Sequence, residues 1–238
     1  MGYPITRKYI SKNRSYLTFQ PKGGVIHETA NPGDSDEMEQ EYFDSGDRQA
    51  SAHAFIDADS ITQTIPWDEV AWHAGRTANR QFWGIELCNT TNAERFKQIW
   101  DRGTWLYAYL FTRICIPPIH TVTRQNLMSH AEVSVAWRET DHMDPISYFL
   151  RFGKTVDDFR TDVQAKITQM VSADKMYKED DDMFKDADKI SEYAKTSVDN
   201  LEKLGIIHGD TDGNFKPLEP ITRQDMAVII NNLLQINK

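Results

Sequence analysis

The order of apolar and polar positions divides this chain into alternating strand-like and helix-like segments. Gly23-Gly24-Val25-Ile26-His27 predicts a short strand entered from a turn. Ser35 to Ala50 predicts a helix with acidic residues in its first turn, where the helix dipole favours them. Ala52 to Ile65 predicts a hairpin turning at Asp57-Ala58-Asp59-Ser60. Phe82 to Leu87 predicts another strand, with Trp83, Ile85 and Leu87 on one face and Gly84 and Glu86 on the other. The strongest helical period carries Phe96, Ile99, Trp100, Leu106, Tyr107, Leu110, Phe111 and Ile114. Thr91 and Glu94 suggest a capping box at its start, and Pro117-Pro118 ends it. Strands mixed with long helices predict an α/β class, a mixed central sheet flanked by helices.

Beyond residue 150 the pattern changes. A helix is expected from Val156 to Met170, followed by the acidic run SADKMYKEDDDM, which has too few apolar positions for a core and reads as a linker. Ala187, Ile190, Ala194, Leu201 and Leu204 then give a helical stripe ending at Gly205. A second helix is expected from Thr222, with Asp225 as capping partner and Met226, Ile229, Ile230 and Leu233 on its buried face. All six tryptophans precede residue 140. The expected organisation is therefore a large domain over 1–153, a helical and acidic linker over 154–183, and a small all-α unit over 184–238. The Asp210-Thr211-Asp212-Gly213-Asn214 run does not fit an EF-hand loop, whose sixth and twelfth positions would here be Phe215 and Ile221, so it reads as a turn.

Charge narrows the classes. With 27 Lys+Arg against 36 Asp+Glu, a net of −9, the basic surplus of a nucleic-acid binder is missing. No apolar run is long enough for a membrane span. MGYPITRKYISKN lacks the apolar region of a secretory leader, so no classical signal peptide is expected and synthesis in a reducing cytoplasm fits. Cys88 and Cys115 sit in apolar contexts and read as inert core thiols.

Seven histidines remain: His27, His53, His73, His120, His130, His142 and His208. There is no HExxH and no CxxC, so a metal site has to be assembled from distant segments. His27 at a strand end, His130 after Leu127-Met128-Ser129, and Asp144 before Pro145 offer two imidazoles and a carboxylate, a donor set that suits zinc with one position open. Without further signal, hydrogen-bonded loop and core histidines are the favoured reading of these residues. Glu86 in its apolar strand needs a partner or a task, and burial would raise its pKa toward general acid/base range; a solvated edge position is the alternative.

The ordered segments GGVIHETAN, SAHAFID, AWHAG, FWGIELCN, SHAEVS and TDHMDP resemble the zinc-dependent N-acetylmuramoyl-L-alanine amidases of type 2, which share their fold with peptidoglycan-recognition proteins; the nearest look is to phage endolysins. The resemblance covers about residues 15–150. It implies Zn²⁺ held by His27, His130 and Asp144, with Glu86 activating water. His142 would stabilise the oxyanion at a position where lysine is common. Ala52 occupies the place of a tyrosine found in part of the family. His53, Trp72, His73 and Asn89 are expected to meet substrate; a tight turn with Trp72 in the core is the alternative for that pair. Phe184-Lys185-Asp186 and Ile221-Thr222-Arg223-Gln224-Asp225 resemble an S-layer homology (SLH) module, covering about 184–236. That implies secondary cell-wall polysaccharide as a partner through Arg223; a salt bridge to Asp225 is the alternative. A lone module of this size buries little surface, which makes self-association through it a further expectation. The implied activity is hydrolysis of the amide between N-acetylmuramic acid and L-Ala of peptidoglycan. The alternative is a non-catalytic binder of peptidoglycan and wall polysaccharide.

Overall fold

The computed structural model describes residues 2–33, 35–179 and 184–236. The chain divides into two compact units, 1–172 and 173–238.

The first unit is built on a six-stranded sheet: β1 (Thr6–Arg7), β2 (Gly24–Glu28), β3 (Ala54–Ile56), β4 (Ile61–Gln63), β5 (Trp83–Leu87) and β6 (Leu127–Ser129), in the order β1-β4-β3-β5-β2-β6. All neighbours pair parallel except the β3–β4 hairpin. The helices are α1 (Asp36–Asp44), α2 (Gly75–Asn79), α3 (Ala93–Tyr109), α4 (His130–Trp137), α5 (Ile146–Arg151) and α6 (Val156–Glu179). This is the mixed, helix-flanked sheet that the patterning predicts.

One face of the sheet carries the main core. Ile26, Ala54, Ile56, Trp83, Ile85 and Leu87 pack with Phe96, Trp100, Tyr107, Phe149 and Phe159. The close approach of α3 to the sheet requires Gly103, because a Cβ there would stand 2.8 Å from Leu87 Cδ2. The opposite face is split between a small cluster, Val25, Ala74, Ala78, Phe82, Met128 and Val133, and the polar site described below.

Several boundaries move. The α1 helix stops at Asp44, well short of Ala50, because Ser45 leaves helical geometry and bonds back to Tyr42 O at 2.8 Å. The cap of α3 is Asn92, whose side chain accepts from the Glu94 and Arg95 amides, and not Thr91. The α6 helix runs to Glu179, through most of the segment read as linker; residues 180–183 of that segment lie outside the described residues. A domain end at 153 is also too early, since Phe159, Val163 and Ile167 are buried in the main core.

In the second unit, α7 (Glu192–Lys203) and α8 (Arg223–Ile236) surround a small core of Phe184, Ile190, Val198, Ile206 and Ile207. Gly205 takes the left-handed conformation after α7, at φ +66°. The Asp210 carboxylate accepts from the amides of Asp212 and Asn214, both at 2.9 Å, which is the turn the sequence predicts. Asp186 receives the amides of Phe215 and Lys216 at 2.7 and 2.9 Å, so Phe184 fills the core while Asp186 anchors the loop.

Candidate active site

Strand pleating places the first two residues of the site. In the β2–β5 register His27 lies opposite Glu86, so both side chains leave the sheet on the face away from the main core. The third comes from the β6–α4 junction. Ser129 caps α4 in a complete capping box with Glu132, which fixes His130 as the first helical residue. Arg160 of α6 holds this junction, donating to Leu127 O at 2.8 Å and pairing with Glu132. The loop carrying Asp144 is tied to the same helix: Ala131 N donates to Asp144 O at 3.1 Å, and Ser134 Oγ to His142 O at 2.8 Å.

These ties converge on one carboxylate. His27 Nδ1 lies 3.2 Å from Asp144 Oδ2, and His130 Nδ1 lies 3.0 Å from Asp144 Oδ1. Ligand atoms at the corners of a tetrahedral zinc site with bonds near 2.0–2.1 Å stand about 3.4 Å apart. The donor set and its spacing therefore fit Zn²⁺.

Hydrogen bonding sets the histidine tautomers. Phe82 O can only accept, so His73 Nε2, 3.1 Å away, carries its proton. Burial first, then His27 and His53, hold His73 well below its ordinary pKa, so its ring is neutral and Nδ1 is a bare acceptor. That Nδ1 lies 3.0 Å from His27 Nε2, which must be the donor. The lone pair of His27 Nδ1 is thereby turned toward Asp144. His130 Nε2 is held in turn by Thr140 Oγ1 at 3.1 Å. Each imidazole thus has one nitrogen fixed by the protein and the other free for a metal, the arrangement by which outer groups orient ligands.

Glu86 sits beside this triad in an environment hostile to charge. Burial first, and then the negative charges of Asp144, Glu39 and Glu28, push its carboxyl well above the usual range, and its Oε2 has no hydrogen-bond partner. Asp144 goes the other way. Burial would raise its pKa, but the His130 and His27 rings it faces outweigh that and keep it ionised. Two neighbouring carboxyls with opposed tendencies suit one as ligand and the other as proton carrier. His142 lies at the solvent edge, stacked over His130 with centroids 4.7 Å apart and its Nδ1 3.7 Å from Asp144. Beside it opens a groove of about 440 Å³, walled by Trp72, His73, Gly75, Asn79 and the 139–142 loop. Glu139 closes the wall by accepting from Thr77 N and Oγ1 at 2.6 and 2.7 Å.

Comparison with known proteins bears directly on this arrangement. The family model for N-acetylmuramoyl-L-alanine amidase (Amidase_2) matches residues 18–147, more than half of the chain, and contains all five residues that converge here. The chain belongs to this amidase family. A second family model, the S-layer homology domain, matches residues 184–227. Protein Ami of Listeria monocytogenes is 30% identical over 190 residues, 71% of this chain and 21% of that protein. The bifunctional autolysin of Staphylococcus epidermidis is 29% identical over 135 residues, 54% of this chain and 10% of that protein. The amidase thus corresponds to about a fifth or less of these curated relatives. Among solved structures, the Staphylococcus aureus hydrolase AmiA in complex with its ligand matches with TM-score 0.65 and 22% identity, over 72% of this chain and 87% of that one. The catalytic domain of XlyA matches with TM-score 0.54 and 24% identity, over 67% and 99%. At these identities the likeness establishes the fold.

Within the amidase, His27, His130, Asp144, Glu86 and His142 come together as expected, and Trp72 lines the groove. Two expected substrate contacts do not. His53 is fully buried, its Nε2 on Glu69 O at 2.9 Å and its Nδ1 receiving Gly84 N at 3.0 Å, so neither nitrogen is free for substrate. Asn89 is buried too, donating to Glu28 at 2.5 Å and accepting from Arg151 at 3.0 Å. His73 borders the groove, but both its ring nitrogens are engaged, and its place is behind His27. Arg223 is exposed at the start of α8; among the described residues it forms no ion pair to Asp225, whose carboxylate accepts from Thr222 Oγ1 at 2.6 Å. Thr140 and Asn79 were not anticipated. Asn79 Oδ1 accepts from the His73 and Ala74 amides at 2.9 and 2.8 Å. Thr140 opens the TDHMDP segment, so a hydroxyl four residues before the ligand was the available signal.

Proposed function

We propose that this amidase hydrolyses the amide joining N-acetylmuramic acid to the L-Ala of the peptidoglycan stem peptide. The observation that carries the reading is the convergence of two oriented imidazoles and an ionised carboxylate beside a buried, high-pKa Glu86. Zinc at His27, His130 and Asp144 supplies Lewis acidity, polarising the carbonyl and lowering the pKa of a water. Glu86 accepts the proton of the attacking water and delivers it to the leaving nitrogen. Its raised pKa suits both halves of that transfer. His142, at the groove edge, donates to the oxygen that gains charge in the tetrahedral state. Trp72 offers an aromatic face to a sugar ring or peptide in the groove.

The second unit, an SLH domain, concentrates the enzyme on wall polymers, with the exposed Arg223 guanidinium available to an anionic polysaccharide. A wall-cleaving fold joined to a wall-anchoring one suits an endolysin, made in the host cytoplasm and acting at the wall after release. Expression inside a Gram-positive host tests this part: lysis only with a co-expressed membrane pore supports it, and lysis without the pore refutes it.

The test of the activity is mass spectrometry of purified Gram-positive peptidoglycan after digestion, with and without EDTA and beside Asp144→Ala. Free stem peptides beginning at L-Ala, lost on chelation and in the variant, are expected. Intact muropeptides throughout, with zinc bound, would overturn the reading.

A further inference from the structure

The first unit carries an aromatic surface outside the metal site. Arg14 is fixed by Glu69: its Nε donates to Oε1 at 3.0 Å and its Nη2 pairs with the other carboxylate oxygen. Its guanidinium lies over two tyrosine rings, 5.7 Å from the centroid of Tyr9 and 4.9 Å from that of Tyr16. A second stack is formed by Arg48 over Tyr42, 3.9 Å from the ring centroid, near the end of α1. Asn13 joins the two stacks, donating to Phe43 O at 2.7 Å and accepting from the amides of Arg48 and Gln49 at 2.8 and 3.1 Å. The rings are nonetheless open to solvent: Tyr9, Tyr16 and Tyr42 are 44, 69 and 47% exposed, and Leu17 56%.

The backbone is strained to present them. Among the described residues five non-glycine positions take positive φ, and three of them lie here: Asn13 (+55°), Tyr16 (+55°) and Gln49 (+50°). For an aromatic residue this conformation is costly, and Tyr16 is held in it by its amide, which donates to Glu69 Oε1 at 3.0 Å. The surface also runs into the groove. Ser15 Oγ donates to Val70 O at 2.6 Å and Val70 N to Leu17 O at 2.7 Å, so residues 15–17 follow the segment that continues to Trp72. The three residue steps from Glu69 to Trp72 span at most about 11 Å. From the other stack, Gln49 itself walls the groove, and Ser51 N donates to Trp72 O at 2.9 Å.

We propose that Tyr9, Arg14, Tyr16, Leu17, Tyr42 and Arg48 form a glycan-binding subsite, which takes the N-acetylated sugars of a peptidoglycan strand beyond the unit held in the groove. The choice of ligand rests on the peptidoglycan reading of that groove. A pyranose ring has apolar C–H faces, which pack on exposed aromatic rings, and hydroxyl and acetamido groups at its edge, which accept from guanidinium N–H groups. Charge favours a neutral sugar over a polyanion. Within 9–17 and 42–49 the cations Lys12, Arg14 and Arg48 are matched by Asp44, Asp47 and the Glu69 that pairs with Arg14, so no basic surplus is left for an anionic polymer. Rings already fixed against guanidinium planes lose little freedom on binding.

The experiment titrates the full, zinc-loaded chain with chitotetraose, a tetramer of N-acetylglucosamine, followed by calorimetry and by backbone amide NMR. This probe carries no stem peptide, so it reports the subsite whether or not the muramoyl amide is cut. Saturable binding is expected, with amide shifts over 9–17 and 42–49 and an affinity that falls at least about fivefold in Tyr16→Ala. Tyr42→Ala, at an exposed helical position, gives the same loss if Tyr16→Ala does not fold. No binding at millimolar tetramer would overturn the proposal. Equal affinity in either folded variant would overturn it too, by placing the sugar elsewhere on the chain. Binding that depends on Tyr16, alongside intact muropeptides after peptidoglycan digestion, would uphold the subsite and refute the activity alone.

Discussion

Substituting Gly84 by alanine tests how closely the sheet supports the metal ligands. In an unhindered strand this change gains about 0.5–1 kcal/mol, because alanine loses less conformational freedom on folding. Here the added Cβ would stand 2.3 Å from His73 Cγ and 2.6 Å from its Cδ2 and Nδ1. The ring must retreat by about 1 Å to reach ordinary contact. It cannot do so and keep its bonds, 3.1 Å to Phe82 O and 3.0 Å to His27 Nε2. Overpacking costs about 1–3 kcal/mol and the stranded His27 N–H a further 1–3; set against the entropic gain, a net loss of about 1–5 kcal/mol is expected. Freed of its outer partner, His27 also binds metal less well, by about 10–100-fold. Urea unfolding of the metal-free protein and zinc affinity by chelator competition read the two effects. His73→Ala is the control: in its background Gly84→Ala should cost almost nothing, since the clash has gone. Additivity of the two substitutions within about 0.5 kcal/mol, or a zinc affinity in Gly84→Ala within a factor of two of the parent, would refute the reasoning.

Glu86→Gln should retain zinc but lower the rate of stem-peptide release by at least about 10²-fold, because an amide cannot carry the proton; undiminished release would remove Glu86 from the mechanism. His142→Ala should likewise keep stoichiometric zinc and lose about 10²-fold in kcat with little change in fold, read by muropeptide release and circular dichroism. Burial pushes His53 down to about 4 from 6.5. Between those values the unfolded chain binds the extra proton, so stability falls as pH drops from 6.5 toward 4, by about 2 kcal/mol at pH 5. Urea midpoints at pH 7 and pH 5 should show this fall, and His53→Gln should flatten it; equal pH slopes in the two proteins would exclude His53 as the source.

The sequence by itself determined the parts of this protein that depend on local periodicity and residue chemistry. Alternation around Trp83, Ile85 and Leu87 told which way Glu86 points, because a strand has only two faces. The helical stripe from Phe96 to Ile114 marked the helix that covers the sheet, and Gly205 marked the end of another. The ordered motifs picked out His27, His130 and Asp144 as the residues that converge, since a resemblance to the amidase family is legible in their order along the chain without a fold. Only the tertiary structure decided what each of the other histidines does. His53, His73 and His142 are all accessible-looking polar residues in a linear reading. The roles of His53 and His73 depend on the partners of single ring nitrogens, and those partners lie far along the chain: Gly84 for His53, His27 for His73. The domain end was hidden for a related reason. The apolar positions of α6 look like any amphipathic helix, and only the packing of Phe159 against Trp100 and Phe149 assigns it to the first unit. Which nitrogen donates, and which helix closes a core, follow from distances between residues tens of positions apart, and chain folding alone sets those distances.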